Sequence, residues 1–178
     1  RLHKGFKTFV STRIDDSAIQ KSYEAVSDRL ATRSNRVEQY CGFLTHTDFV
    51  PHNFRIHDQK LYLLDFSSLL FGSKHESWAR FLNFMTLYNR ELETLLIQYI
   101  EDNRSPEERE SLQLMRLYRL TEIIAYYVNT LSSSEGALYE LNQARIQFWH
   151  EVLCAELGNQ RVAEEVVTEY TKLRDSLR

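Results

Sequence analysis

Only two cysteines, Cys41 and Cys154, occur in 178 residues. Two thiols supply neither a disulfide framework nor a cysteine-based zinc site. We expect both to be buried small hydrophobes in a reducing, cytoplasmic compartment. No run of about 18 uncharged apolar residues is present, which excludes a hydrophobic membrane-spanning helix of ordinary length and membrane partners with it. The formal net charge is -3, so there is no basic excess to point to nucleic acid. No secretory leader, internal repeat or low-complexity tract is visible. Apolar residues make up 43% and charged residues 26% of the chain, which places it among globular domains rather than disordered ones.

What is present is mostly helical periodicity. Residues 1–14 alternate weakly and read as an extended or irregular lead-in. Asp15-Asp16-Ser17 offers capping side chains for a helix start. Ile19, Tyr23, Val26 and Leu30 then mark one helical face, and we expect that helix to run to about Gln39. Pro51 makes 46–53 a loop. Residues 54–64 alternate, turn at Asp58-Gln59 and run apolar, which predicts one short hairpin ending at Asp65. Beyond Ser73 four apolar stripes predict four helices. The first carries Phe81 through Tyr99 and is broken between Asn103 and Pro106. The others carry Leu117 to Leu131, Leu138 to Leu157 and Val162 to Leu177, with a stop at Gly158-Asn159. The fold class expected is mainly α with a small β-hairpin.

The residues able to do chemistry crowd into His46-Thr47-Asp48-Phe49-Val50-Pro51-His52-Asn53 and the later Asp65-Phe66. Phosphoryl transfer to a hydroxyl needs a carboxylate that orients the nucleophile and accepts its proton. It also needs hard oxygen ligands for magnesium, which uses few protein groups. Asp48 suits the first task, and Asn53 and Asp65 the second. A hairpin between Asn53 and Asp65 would fold the chain back so that both face one ion.

His46-x-Asp48-x-x-x-x-Asn53 followed by Leu64-Asp65-Phe66 resembles the catalytic loop and metal motif of the aminoglycoside phosphotransferase and choline kinase-like family, distant relatives of protein kinases. The resemblance covers roughly residues 43–72. It implies that Asp48 is the catalytic aspartate and that His46 is the histidine bracing the loop. It implies that Asn53 and Asp65 are metal and nucleotide-site ligands, with ATP and Mg2+ as cofactors and a small-molecule hydroxyl as acceptor. It further implies that 1–178 is a kinase-like C-terminal lobe, with catalytic and metal loops at 43–72 and a helical subdomain at 76–178. The chain begins with Arg1, has no Gly-rich phosphate loop and has no strand lysine paired with a helix glutamate. We therefore expect the N-terminal nucleotide lobe to belong to a longer protein. Three positions depart from the family: Thr47 and His52 stand where glycine is common, and Ser67 stands where an acidic residue is common.

Other residues have plainer expectations. Lys74, His75, Glu76 and Arg80 should tie the loop to the helices, with substrate contact as the lesser reading. His75 and His150 should be ordinary helix-edge residues, and His52 and His57 exposed or supporting. A metal site from His46, His52 and His57 is disfavoured, because Asn53 and Asp65 suit a harder ion. Phe81, Phe84, Tyr88 and Tyr99 should be plain core. Tyr126-Tyr127 and Phe148-Trp149 are candidates for an acceptor pocket, and Glu135, Glu140, Glu151 and Glu156 for its acidic lining. A non-catalytic binding or regulatory module is the competing function. A protein kinase proper fits worse, since Asp65-Phe66 is followed by Ser67 and no Ala-Pro-Glu triplet follows.

Overall fold

The computed structural model describes residues 17–177, so the expected lead-in at 1–14 and the acidic pair Asp15-Asp16 lie outside the described residues. The described chain is mainly helical. It contains α1 (Ser17–Thr32), α2 (Ser34–Glu38), β1 (Phe43–His46), β2 (Phe54–His57), β3 (Lys60–Leu63) and β4 (Leu69–Gly72). The helices α3 (Glu76–Tyr88), α4 (Arg90–Asn103), α5 (Pro106–Leu131), α6 (Gly136–Leu157) and α7 (Glu164–Ser176) follow. No described helix is long and apolar enough to cross a membrane. The contacts divide the chain into two compact units, one of residues 33–119 and one joining the described part of 1–32 to 120–178.

The first unit holds both sheets. β2 and β3 form the expected hairpin, with Phe54 opposite Leu63 and His57 opposite Lys60. Its two-residue turn, Asp58-Gln59, lies at φ 47° and 61°, the paired positive angles that match hairpin twist. A second antiparallel pair was not foreseen: β1 pairs with β4, His46 opposite Leu69 and Phe43 opposite Gly72. Gly72 has a local reason, since a Cβ there would sit 2.7 Å from Glu76 Oε2.

Five helices follow Ser73 rather than the expected four. The break is Asn89, whose backbone leaves the helical region and whose side chain accepts from the Leu92 N–H at 2.9 Å, capping α4. The helix expected to reach Gln39 is likewise interrupted at Arg33, between α1 and α2. Ala79, Leu82, Ile100, Leu112 and Met115 form an apolar core in this unit, with Trp78, Leu96 and Tyr118 against it. Through that core runs a polar tie. Buried Glu93 accepts from Thr86 Oγ1 at 2.6 Å and Arg90 Nη1 at 3.1 Å, and Arg116 Nε donates to Asn83 Oδ1 at 3.1 Å. A buried carboxylate is costly alone, so these partners make its position in the core sustainable.

In the second unit the spacing of α1 is realised, with Ile19, Tyr23 and Val26 buried. The Tyr23 hydroxyl donates to the Thr121 carbonyl at 2.6 Å, and burial pushes its pKa up. Phe148 of α6 stacks on Tyr170 of α7 at 4.4 Å. After α6 it is Asn159, not Gly158, that takes the left-handed angle, at φ 55°. Gln160 N–H then closes back on the Ala155 carbonyl at 2.8 Å.

Two expectations fail on exposure. Cys41 and Cys154 are both exposed, not buried. Tyr88 and Tyr99 are exposed at 56% and 44%, so the aromatic stripe is only partly core. His75 stands at the N-terminal edge of α3, as expected, and is buried there at 6% exposure. Periodicity locates a helical face but not how deeply its neighbours cover it.

Candidate active site

All four candidate site residues lie in the first unit. The β1–β4 ladder places the loop that leaves His46 and the turn that enters Leu69 at one end of the same sheet. Thr47 N–H and Oγ1 continue the ladder, donating to the Ser68 carbonyl at 2.9 and 3.1 Å. Val50 before Pro51 is extended, as a residue before proline prefers, and is fully buried. Beneath the loop Phe49 meets Phe54 edge-on at 4.9 Å and Phe81 at 5.7 Å.

His46 spans loop and turn. Its Nε2 lies 3.0 Å from the Leu64 carbonyl, and a carbonyl can only accept, so Nε2 carries the proton. Its Nδ1 is buried without a hydrogen-bond partner. The backbone of His46 is held from α3: Ser77 Oγ accepts from His46 N–H at 2.9 Å and donates to its carbonyl at 3.1 Å.

Asp48 and Asn53 are joined directly. Asn53 Nδ2 donates to the Asp48 carbonyl at 2.8 Å and to its Oδ2 at 3.0 Å. Asn53 is buried, and both of its side-chain hydrogen bonds to Asp48 are made by its nitrogen, not its amide oxygen. The other carboxylate oxygen of Asp48 accepts from Arg80 Nη2 at 3.0 Å, and the Arg80 guanidinium lies 4.9 Å over the Phe84 ring. His52 Nε2 stands 3.6 Å from Asp48 Oδ2.

Asp65 is reached through the hairpin, because Leu64 N–H donates to the Asn53 carbonyl at 2.8 Å. It adopts the left-handed conformation at φ 59°, ψ 58°. Its carboxylate makes no bond to Asp48 or Asn53. Oδ1 accepts from Ser67 Oγ at 2.5 Å and Oδ2 from Ser68 Oγ at 2.6 Å. Those two hydroxyls, with smaller help from His46 and His52, hold its carboxyl below the usual range.

Among the described residues no three His, Cys, Asp or Glu side chains group so as to hold a metal ion, so the alternative built on His46, His52 and His57 finds no cluster. The remaining polar candidates act as anchors: Arg80 reaches Asp48, Lys74 pairs with Glu108, and Glu76 pairs with Arg119. Ser77 was missed as a loop anchor and Ser67 and Ser68 as donors. The partner of Ser77 lies 31 residues away and no spacing announces it, whereas Ser67 and Ser68 stand two and three residues after Asp65. The candidate acceptor-pocket residues belong to the second unit. Phe148 and Trp149 are buried there, Tyr126 is 62% exposed, Glu156 is buried, and Glu135, Glu140 and Glu151 are exposed.

His75 supplies a pH-dependent feature beside the site. Its Nδ1 lies 2.9 Å from Ser111 Oγ, and Tyr40 meets its ring edge-on. Burial and then the nearby Lys74 push its pKa down to about 4. The unfolded chain titrates near about 6.5, so between these values the unfolded state binds the extra proton. Stability from neutral His75 is therefore full above that range and is lost as pH falls through it. The expected loss is about 2 kcal/mol by about pH 4.5. Urea midpoints between about pH 7.5 and 4.5 should fall more steeply for wild type than for His75→Asn. Parallel profiles would contradict the assignment.

No protein-family model, curated protein or solved structure matches the chain.

Proposed function

We propose that this chain is the C-terminal lobe of a protein-kinase-like, ATP-dependent phosphotransferase acting on a small-molecule hydroxyl, of aminoglycoside, amino alcohol or sugar type. The observation that carries the reading is the state of Asn53. Its amide nitrogen is spent on Asp48, its amide oxygen remains to act as a donor, and its backbone carbonyl accepts from the N–H of Leu64, the residue before Asp65. One amide oxygen and one ionised carboxylate are hard donors of the kind and number that suit magnesium. In this reading Asn53 and Asp65 hold Mg2+. Asp48 receives the hydrogen bond of the acceptor hydroxyl, aligns its lone pair and accepts its proton. Arg80 and Asn53 fix the carboxylate for that task, and His46 braces the loop. Bound Mg2+ and ATP would supply the transferable phosphoryl group and charge to offset its oxygens.

A companion nucleotide-binding lobe belongs to the proposal. Ile56, Phe66 and Phe71 are exposed at 79%, 68% and 78% on the strands and turn around the loop, with Leu44 and Leu61 also exposed. Apolar side chains in such number usually meet a partner surface. Dependence on ATP and Mg2+ fits a cytoplasmic setting. A second reading, a non-catalytic binding module, is favoured by one observation: both oxygens of Asp48 are already engaged by Arg80 and Asn53.

Phosphate transfer from radiolabelled ATP to a panel of amino alcohols, sugars and aminoglycosides separates the two. The purified 178-residue chain should not turn over, because catalysis of this kind is positioning plus electrostatics and one wall is missing. The chain joined to a nucleotide-binding lobe should. Turnover by the chain alone would remove the need for a companion lobe, and a joined protein that bound Mg-ATP but transferred nothing would favour the binding module.

A further inference from the structure

We propose that the cavity where the start of α3, the end of α4 and the start of α5 meet is a binding site for a small monocarboxylic acid with an apolar body. The inference is independent of the phosphotransferase reading, because Asp48, Asn53 and Asp65 do not line this cavity.

The cavity lies within the first unit and has a volume of about 150 Å³. An apolar cavity of about 150 Å³ admits benzene, so the space suits one ring or a short branched chain. Trp78 of α3, Ile100 of α4 and Leu112 of α5 give it an apolar lining, and Ile100 and Leu112 are each buried at 6% exposure. The polar lining is uneven in charge. Lys74 and Arg104 bring two cations, and Glu108 brings one carboxylate. His75, the remaining wall, is neutral near neutral pH. Lys74 Nζ pairs with Glu108, which balances those two. Arg104 is left over: no described carboxylate stands within ion-pair distance of it.

Arg104 is nevertheless placed by its neighbours. Its backbone N–H closes α4 on the Ile100 carbonyl at 3.0 Å. Its guanidinium lies 5.8 Å from the centroid of the Tyr99 ring, and Tyr99 stacks on Trp78 at 6.2 Å and 14°. A guanidinium placed by a ring contact keeps its N–H donors for other partners, and their fork matches a carboxylate. A carboxylate is costly to bring beside buried apolar groups unless it is hydrogen-bonded and paired, and Arg104 supplies both. An inorganic anion would leave Trp78, Ile100 and Leu112 uncovered, and an amine would meet the excess cation. A small acid with an apolar body satisfies both halves of the lining, an apolar wall with few directed polar groups.

Benzoate is the probe, titrated into the whole 178-residue chain and followed through the indole N–H resonances. The sequence holds two tryptophans. Trp78 lines the cavity, and Trp149 belongs to the other unit and serves as the control. Benzoate should shift the Trp78 signal with a Kd of about 1 mM, ordinary for so few atoms, and leave Trp149 unmoved. Acetate lacks the ring, benzyl alcohol lacks the charge and benzylamine reverses it. Each should bind at least about tenfold more weakly than benzoate. Arg104→Gln should weaken benzoate about 10–100-fold and leave benzyl alcohol unchanged. Arg104→Lys keeps the charge and should retain more affinity than Arg104→Gln. Arg104 is exposed, so the thermal unfolding of both variants is expected to match wild type. A Trp78 signal unmoved at tens of millimolar benzoate would overturn the site. Equal binding of any of the three control compounds would overturn the class of ligand, and unchanged affinity in Arg104→Gln would overturn the role of Arg104.

Discussion

Asp48→Asn, in the protein that carries the nucleotide lobe, is expected to lower kcat by about 10²–10⁴-fold while leaving ATP affinity nearly unchanged. That corresponds to roughly 3–5 kcal/mol of transition-state stabilisation. The substitution keeps the shape and removes the charge. Asn53 Nδ2 and Arg80 Nη2 presently place that charge, at 3.0 Å each. The transition state of phosphoryl transfer is loose, so the proton leaves late and the base acts through orientation and field. The loss should therefore appear in kcat and not in nucleotide binding. Arg80 would keep an oxygen acceptor but lose its counter-charge, so unfolding midpoints must accompany the kinetics. A variant that turned over within about threefold of wild type would remove Asp48 as the base, and the kinase-like reading would lose its centre.

Asp65→Ala should act on a different step. In the same protein it should abolish the magnesium dependence of nucleotide binding and reduce turnover with it. A metal-ligating carboxylate contributes to affinity directly, so the expected loss of Mg-ATP affinity is about 10²-fold. A magnesium titration of nucleotide binding reads this without an acceptor substrate. Retention of wild-type metal-dependent binding would sink the assignment of Asp65 while leaving Asp48 untouched. His46→Ala should be smaller than either and temperature-sensitive, since its ring bonds the Leu64 carbonyl and so acts through loop order.

Legibility in the sequence followed locality. The β2–β3 hairpin was readable because its alternation and its Asp58-Gln59 turn lie within a few residues of one another. The face of α1 was readable for the same reason, through the 3.6-residue period of Ile19, Tyr23 and Val26, whereas the stripe read on α6 begins at Leu138, which is 51% exposed. The break at Asn89 was hidden inside an apolar stripe that continues on both sides of it. Asparagine is tolerated in a helix, but here its side chain caps the next one. The β1–β4 pair was hidden because each strand has four residues and its partner lies far along the chain. Short apolar runs of that kind are ambiguous until they pair.

The sequence by itself determined the identities and spacing of His46, Asp48, Asn53 and Asp65, the proline that keeps their loop out of a helix, and the hairpin that returns the chain. Those properties depend on contacts between near neighbours. Tertiary structure alone decided that loop and turn leave the same end of one small sheet, that Asn53 spends its nitrogen on Asp48, and that Arg80 holds the other oxygen. It also decided that Ser77 anchors His46 and that the serines grip Asp65. The Ser77 and Arg80 bonds join segments 31 and 32 residues apart, whereas the Asn53 and serine bonds are local. A hydrogen bond across such a distance depends on strand register and helix docking, which no local pattern encodes.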